Sequence, residues 1–115
     1  MRYVRNVIFE IARCLNHIHS KNIIHGDLKP KNIMRSGGAF ILIDLDGSAE
    51  IGIGYGGIKI SSAYSPPEFI YKNDNSDEYV LKQYIEDNNE YQNYDNVVAH
   101  HSIDAWSLVI INIYY

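Results

Sequence analysis

Apolar residues recur at steps of three and four from the start of the chain: Val4, Val7, Ile8, Ile11, Leu15 and Ile18. Arg2, Arg5, Arg13 and Asn16 fall mostly on the other side. That period predicts an amphipathic helix over residues 1–20 with one buried stripe. Asn22 is placed to stop it, because asparagine tolerates the left-handed backbone better than most residues. Ile23-Ile24 lead into a polar stretch, 25–32. Two short apolar runs follow, Ile33-Met34 and 40–43, separated by Arg35-Ser36-Gly37-Gly38-Ala39. The glycine pair suits a tight turn, so a β-hairpin is predicted. Residues 44–65 are rich in Gly and Ser, keep no period, and read as loop. Pro66-Pro67 close that loop, with a short helix expected after them and Glu68 in its first turn. Residues 72–96 carry six asparagines, four tyrosines and nine charged residues. They read as a solvated insertion, with a helical turn expected over 79–86. From 103 to 115 the chain is apolar on nearly every side (Ala105, Trp106, Leu108, Val109, Ile110, Ile111, Ile113), the pattern of a helix enclosed by other structure.

Composition adds limits. At 115 residues, 46% hydrophobic and 21% charged, the chain suits one soluble globular domain and not a disordered one. Ten basic against fourteen acidic residues give a net charge of −4, which lacks the basic excess a nucleic-acid partner demands. Most of that acidity is local: Asp74, Asp77, Glu78, Glu86, Asp87, Glu90 and Asp95 face only Lys72 and Lys82 in the insertion. The single cysteine, Cys14, excludes an internal disulfide and fits a reducing compartment. No run reaches the length of a membrane span, and residues 1–13 hold no signal-type apolar core. A cytoplasmic or nuclear protein without membrane partners is expected.

The chemistry concentrates in His25-Gly26-Asp27-Leu28-Lys29-Pro30-Lys31-Asn32 and in Ile43-Asp44-Leu45-Asp46-Gly47. A hairpin returns its end near its beginning, which brings Asp44 back beside Asp27 and Asn32. Hard oxygen ligands beside a lysine suit Mg²⁺ and a phosphate, and phosphoryl transfer needs positioning, charge neutralisation and a carboxylate to receive a hydroxyl proton. Gly52-Ile53-Gly54-Tyr55-Gly56-Gly57 imitates a phosphate-binding glycine motif, but no strand–turn–helix pattern surrounds it, so it reads as loop. His17 and His19 fall on different faces of a helix and His100-His101 are adjacent, both poor arrangements for zinc.

The stretch 25–32 resembles the catalytic loop of eukaryotic protein kinases, H-R-D-L-x-x-x-N. Asp44-Leu45-Asp46 stands where that family has D-F-G, Pro66-Pro67-Glu68 is similar to its A-P-E, and Asp104-Ala105-Trp106-Ser107 to its D-x-W-S. The resemblance, to the serine/threonine branch, implies roles by position. Asp27 would be the catalytic base and Lys29 would touch the transferring phosphate. Asn32 and Asp44 would hold Mg²⁺, with ATP as phosphate donor and a protein as substrate. Ser61 and Ser62 lie in the implied activation segment together with Glu68. His25 would pack under the loop as a structural histidine, and Asp104 would brace the loop backbone.

Departures from the family qualify these expectations. Gly26 replaces the arginine that receives an activation-loop phosphate, so activation by phosphorylation of Ser61 or Ser62 is not expected. Asp46 replaces the glycine after Asp44-Leu45 and adds a carboxylate there. The N-terminal lobe that clamps the nucleotide is absent from the stretch that matches. The expected fold class is therefore α+β: a mainly helical partial kinase C-lobe with a small β-hairpin after the catalytic loop. Its parts are a leading helix (1–20), the catalytic loop and metal-binding hairpin (23–46), the activation segment (47–68), the acidic insertion (71–101) and a truncated buried helix (103–115). Such a piece is expected to be poorly soluble and to bind ATP weakly alone. The competing reading is a pseudokinase-like remnant or non-catalytic interaction module.

Overall fold

A computed structural model describes residues 2–55, 62–72, 78–82 and 97–114. Helix α1 spans Arg2–Ser20. Its predicted stripe does bury: Ile11 and Leu15 are core residues, and Val7, Ile8 and Ile18 pack against them. The helix ends where Asn22 takes a φ of 65°, and the amides of Lys21 and Asn22 return to the carbonyls of Ile18 and His19 at 3.0 and 2.9 Å. The next strand, β1 (Ile23–Ile24), carries Ile24 fully into the interior. Pro30 opens a single 3-10 turn, Pro30–Asn32, behind an extended Lys29 (φ −158°, ψ 162°). That is the conformation a following proline imposes on its neighbour.

The predicted hairpin is present as β2 (Ile33–Ser36) and β3 (Ala39–Leu42), antiparallel with Ile33 opposite Leu42 and Ser36 opposite Ala39. Of the two turn glycines, Gly37 takes the positive φ, 60°. The hairpin is tied to α1 by Glu10, whose carboxylate accepts the Phe40 amide at 3.0 Å. Cys14 is half-buried on the same side, its Sγ 3.8 Å from the Phe40 carbonyl oxygen.

Beyond the hairpin the structure departs from the sequence pattern. The stretch 44–65, expected to be loop, contains a 3-10 turn at Leu45–Gly47 and two short strands, β4 (Ala49–Glu50) and β5 (Gly54–Tyr55). β4 pairs antiparallel with β1, and the Ile51 amide donates to the Asn22 carbonyl at 2.9 Å. β5 pairs with β8 (Val97–Val98). Around that pair, Gly52 and Ile53 exchange backbone hydrogen bonds with the buried Ala99. These strands are too short to show a period, and only the distant partner gives their amides somewhere to go. After a 3-10 turn at Pro67–Phe69, with Glu68 in its first turn, β6 (Ile70–Lys72) pairs with β7 (Tyr79–Leu81). The helical turn expected over 79–86 is thus corrected at 79–81, where the Lys82 amide also donates to the Phe69 carbonyl at 2.6 Å. Residues 83–86 lie outside the described residues.

Helix α2 spans His101–Tyr114, beginning two residues earlier than its apolar run. It joins both cores: Ile103 packs with Ile24, Phe69 and Ala99, while Ile111 packs with Ile11, Leu15 and Leu28. Along its other side Trp106, Val109 and Ile113 are exposed. Among the described residues the fold is α+β, two helices and short antiparallel strand pairs, with more strand structure than the single predicted hairpin. No helix among the described residues is long and apolar enough to cross a membrane.

Candidate active site

The loop 25–32 leaves the interior immediately after Ile24 and is gripped at its entrance. Asp104, in the first turn of α2 and 0% exposed, accepts the His25 amide on Oδ2 at 2.8 Å and the Gly26 amide on Oδ1 at 2.9 Å. A buried carboxylate needs such donors, because its desolvation is otherwise uncompensated. Gly26 takes a φ of 81°, a left-handed conformation that costs a residue with a Cβ about 1–2 kcal/mol. At this position, where the sequence departs from arginine, glycine carries no such strain.

His25 is fully buried and links the loop to the hairpin. The Asp27 amide donates to its Nδ1 at 3.2 Å, so Nε2 carries the proton and donates to the Ile43 carbonyl at 2.9 Å. Asp27 itself is only 5% exposed. The Asn32 side-chain amide donates to the Asp27 carbonyl at 2.7 Å and approaches its Oδ2 at 3.3 Å. Lys29 Nζ lies 3.5 Å from the same Oδ2. The Ile43 amide donates to the Asn32 carbonyl at 2.9 Å, which sets Asp44 one residue beyond the loop's end. Asp44 adopts φ 60°, ψ 78°, and its carboxylate accepts the Asp46 amide at 3.4 Å as the following 3-10 turn begins.

Three of the sequence-derived candidates, Asp27, Lys29 and Asn32, therefore meet in one contact group, and Asp44 is anchored beside it through Ile43. Glu68 is exposed in its own turn. Ser61 lies outside the described residues, and Ser62 opens a 3-10 turn, Ser62–Tyr64. That turn is fastened to α2 by Ser107, whose Oγ donates to the Tyr64 carbonyl at 2.7 Å. In the glycine motif, Gly54–Tyr55 form strand β5, with Gly56 and Gly57 outside the described residues. No group of three or more His, Cys, Asp or Glu side chains among the described residues is arranged for a metal ion.

Two residues take places that the sequence reading did not assign them. His19 Nε2 lies 2.7 Å from Asp104 Oδ2, a contact 85 positions apart in the chain; no local pattern could have signalled it. Gly47 is buried against the loop, where a Cβ would stand 3.3 Å from the Asp27 Cβ. Replacing it by alanine forces the two segments apart by a few tenths of an ångström. Gly47→Ala is expected to cost about 1 kcal/mol of stability, read by urea unfolding. An unchanged midpoint would show that the turn is not pressed against Asp27.

The chain matches the protein kinase domain family over residues 1–114 and belongs to it. It is 32% identical over 71 residues to serine/threonine-protein kinase STN7, chloroplastic, of Arabidopsis thaliana, covering 60% of this chain and 11% of that protein. It is 47% identical over 32 residues to calcium-dependent protein kinase 6 of Plasmodium berghei, 28% of this chain and 2% of that one. With the mitogen-activated protein kinase pmk-3 of Caenorhabditis elegans it shares 52% identity over 31 residues, 27% of this chain and 6% of the relative. The aligned stretches thus span between 2% and 11% of these relatives' lengths. No solved structure matches the chain significantly.

Proposed function

We propose that this chain carries the phosphotransfer centre of a serine/threonine protein kinase, in the position of that domain's C-terminal lobe. The observation that supports it best is the convergence of Asp27, Lys29 and Asn32 in one loop whose backbone Asp104 grips. Asp27 acts as the base that receives the proton of a serine or threonine hydroxyl on a protein substrate. Asn32 holds Asp27 in one orientation, and Lys29 supplies positive charge where the phosphoryl group passes. Asn32 and Asp44 present hard oxygen donors suited to Mg²⁺. The Asn32 amide nitrogen is committed to Asp27, so its carboxamide oxygen is the atom left to a cation. Bound Mg²⁺ and ATP supply the phosphoryl group and neutralise its charge. The serine/threonine preference rests on Lys29 two residues after Asp27 and on similarity to relatives such as the Arabidopsis serine/threonine-protein kinase.

The test is transfer from Mg-ATP to arrays of serine, threonine and tyrosine peptides, by the chain alone and by any longer polypeptide that carries it. Transfer to serine and threonine peptides, abolished by EDTA and by Asp44→Asn, is expected from the longer form; the chain alone should turn over ATP poorly. A folded longer form that transfers nothing would leave the non-catalytic interaction module as the better reading.

A further inference from the structure

The hairpin β6–β7 forms a two-stranded sheet of its own, so β7 has an outer edge. Ile70, Tyr71 and Lys72 stand opposite Leu81, Val80 and Tyr79, and one residue further on the Lys82 amide donates to the Phe69 carbonyl. Bonded positions alternate along an antiparallel ladder. Val80 therefore turns its amide and carbonyl toward Tyr71, while those of Tyr79 and Leu81 point away from β6. Among the described residues no backbone carbonyl accepts these two amides. The outer edge of β3 is treated differently, because Glu10 of α1 takes the Phe40 amide at 3.0 Å. Edge strands are commonly blunted by a proline or by a charge within the strand; Tyr79-Val80-Leu81 has neither, and Tyr79 is 73% exposed. Charges stand only at the two ends, the exposed Glu78 before the strand and the half-buried Lys82 after it.

We propose that β7 is a self-association surface, through which two copies of this chain pair antiparallel along Tyr79–Leu81 about a two-fold axis at Val80. The two hairpins then join into one sheet of four strands. Tyr79 of each copy exchanges both backbone hydrogen bonds with Leu81 of the other. The same register sets Glu78 of each copy opposite Lys82 of the other, since both lie two residues from Val80. That charge pattern selects a second copy as the occupant. Cross-strand pairs of opposite sign stabilise an antiparallel ladder and like charges destabilise it, and here both ends of the joined edge are matched. A parallel, in-register arrangement would set glutamate beside glutamate and lysine beside lysine. Joining also answers a physical need, because a lone two-stranded hairpin is marginal in water and further strands steady it. The patch is self-complementary, as a closed two-fold dimer requires. It lies away from the loop 25–32 and does not depend on the proposed phosphotransfer function.

Sedimentation equilibrium of the chain between about 1 and 100 µM tests this, with hydrogen exchange read at both ends of that range. Wild type is expected to dimerise. Its Tyr79 and Leu81 amides should gain roughly tenfold or more protection as concentration rises. The Val80 amide, turned toward Tyr71 within one copy, should stay protected throughout and reports an intact hairpin in every variant. Glu78→Lys and Lys82→Glu each set like charges opposite one another at both ends, and each should weaken dimerisation by roughly tenfold. Mixed together, the two variants complement each other, so their heterodimer should recover wild-type affinity. The double reversal Glu78→Lys/Lys82→Glu in one chain should recover it as well. Association through the exposed Trp106, Val109 and Ile113 of α2 would ignore these reversals. Three results would each overturn the proposal. A chain that stays monomeric across the range leaves the edge to a different partner. Protection of Tyr79 and Leu81 that is the same at all concentrations puts another segment of the same chain on β7. A dimer indifferent to the charge reversals is built on another face. None of these readings needs phosphotransfer, so an inactive protein counts against the proposed function alone.

Discussion

Asp27→Asn should abolish phosphotransfer while leaving the fold in place. General-base contributions amount to about 10²–10⁴ in rate, and kcat of a longer polypeptide that carries the chain is expected to fall by that factor at saturating Mg-ATP. The substitution is isosteric, and the environment it enters is polar: Asn32 and Lys29 both lie within reach of Oδ2. A carboxamide oxygen can take that place, so a stability change within about 1 kcal/mol is expected. Thermal melting alongside steady-state kinetics separates the two effects. If the variant retained more than a tenth of the rate, Asp27 would not be the base; if it unfolded, the carboxylate would be structural first.

Asp104→Ala is the complementary case, expected to damage the fold before the chemistry. The wild-type side chain is fully buried and receives the His25 and Gly26 amides and His19 Nε2. Alanine leaves two backbone donors of the loop without their acceptor and His19 without its carboxylate. Removing one partner from such a buried network costs about 3–5 kcal/mol, a large part of the total stability of a small domain, which is about 5–15 kcal/mol. Urea unfolding at 25 °C should therefore show a transition shifted to much lower denaturant, or none. A cooperative transition within 1 kcal/mol of wild type, measured the same way, would mean that the loop is held by something other than Asp104.

The two predictions differ because of how each residue enters the fold, and the sequence shows the two kinds of residue unequally. Asp27, Lys29 and Asn32 lie within six consecutive positions, so a local reading could collect them, and the hairpin that brings Asp44 near them has its own local signal in Gly37-Gly38. Likewise α1 announces itself through a stripe that repeats for about four turns, and Asn22 through its tolerance of positive φ. By contrast, Phe69, one of the most buried side chains, sits between exposed Glu68 and exposed Ile70, with no apolar period around it. Residues 79–81 looked compatible with a helical turn. They form a strand because Ile70–Lys72 offers a partner ladder, and Tyr-Val-Leu suits a pleated surface once that partner exists.

What the sequence determined by itself was the set of candidate site residues and the elements whose information is local: the leading helix, its asparagine stop, the hairpin and the order of kinase signatures. Those features depend on residues within a few turns of one another, so periodicity, turn chemistry and motif spacing suffice to read them. Only the tertiary structure decided the pairings β1–β4, β5–β8 and β6–β7, the convergence of Ile24, Phe69, Ala99 and Ile103 into one core, and the grip of His19 and Asp104 on the loop. The physical reason is that a two-residue strand or a single buried carboxylate has no preference of its own. Its conformation is settled by where distant donors and acceptors can satisfy it once water is gone.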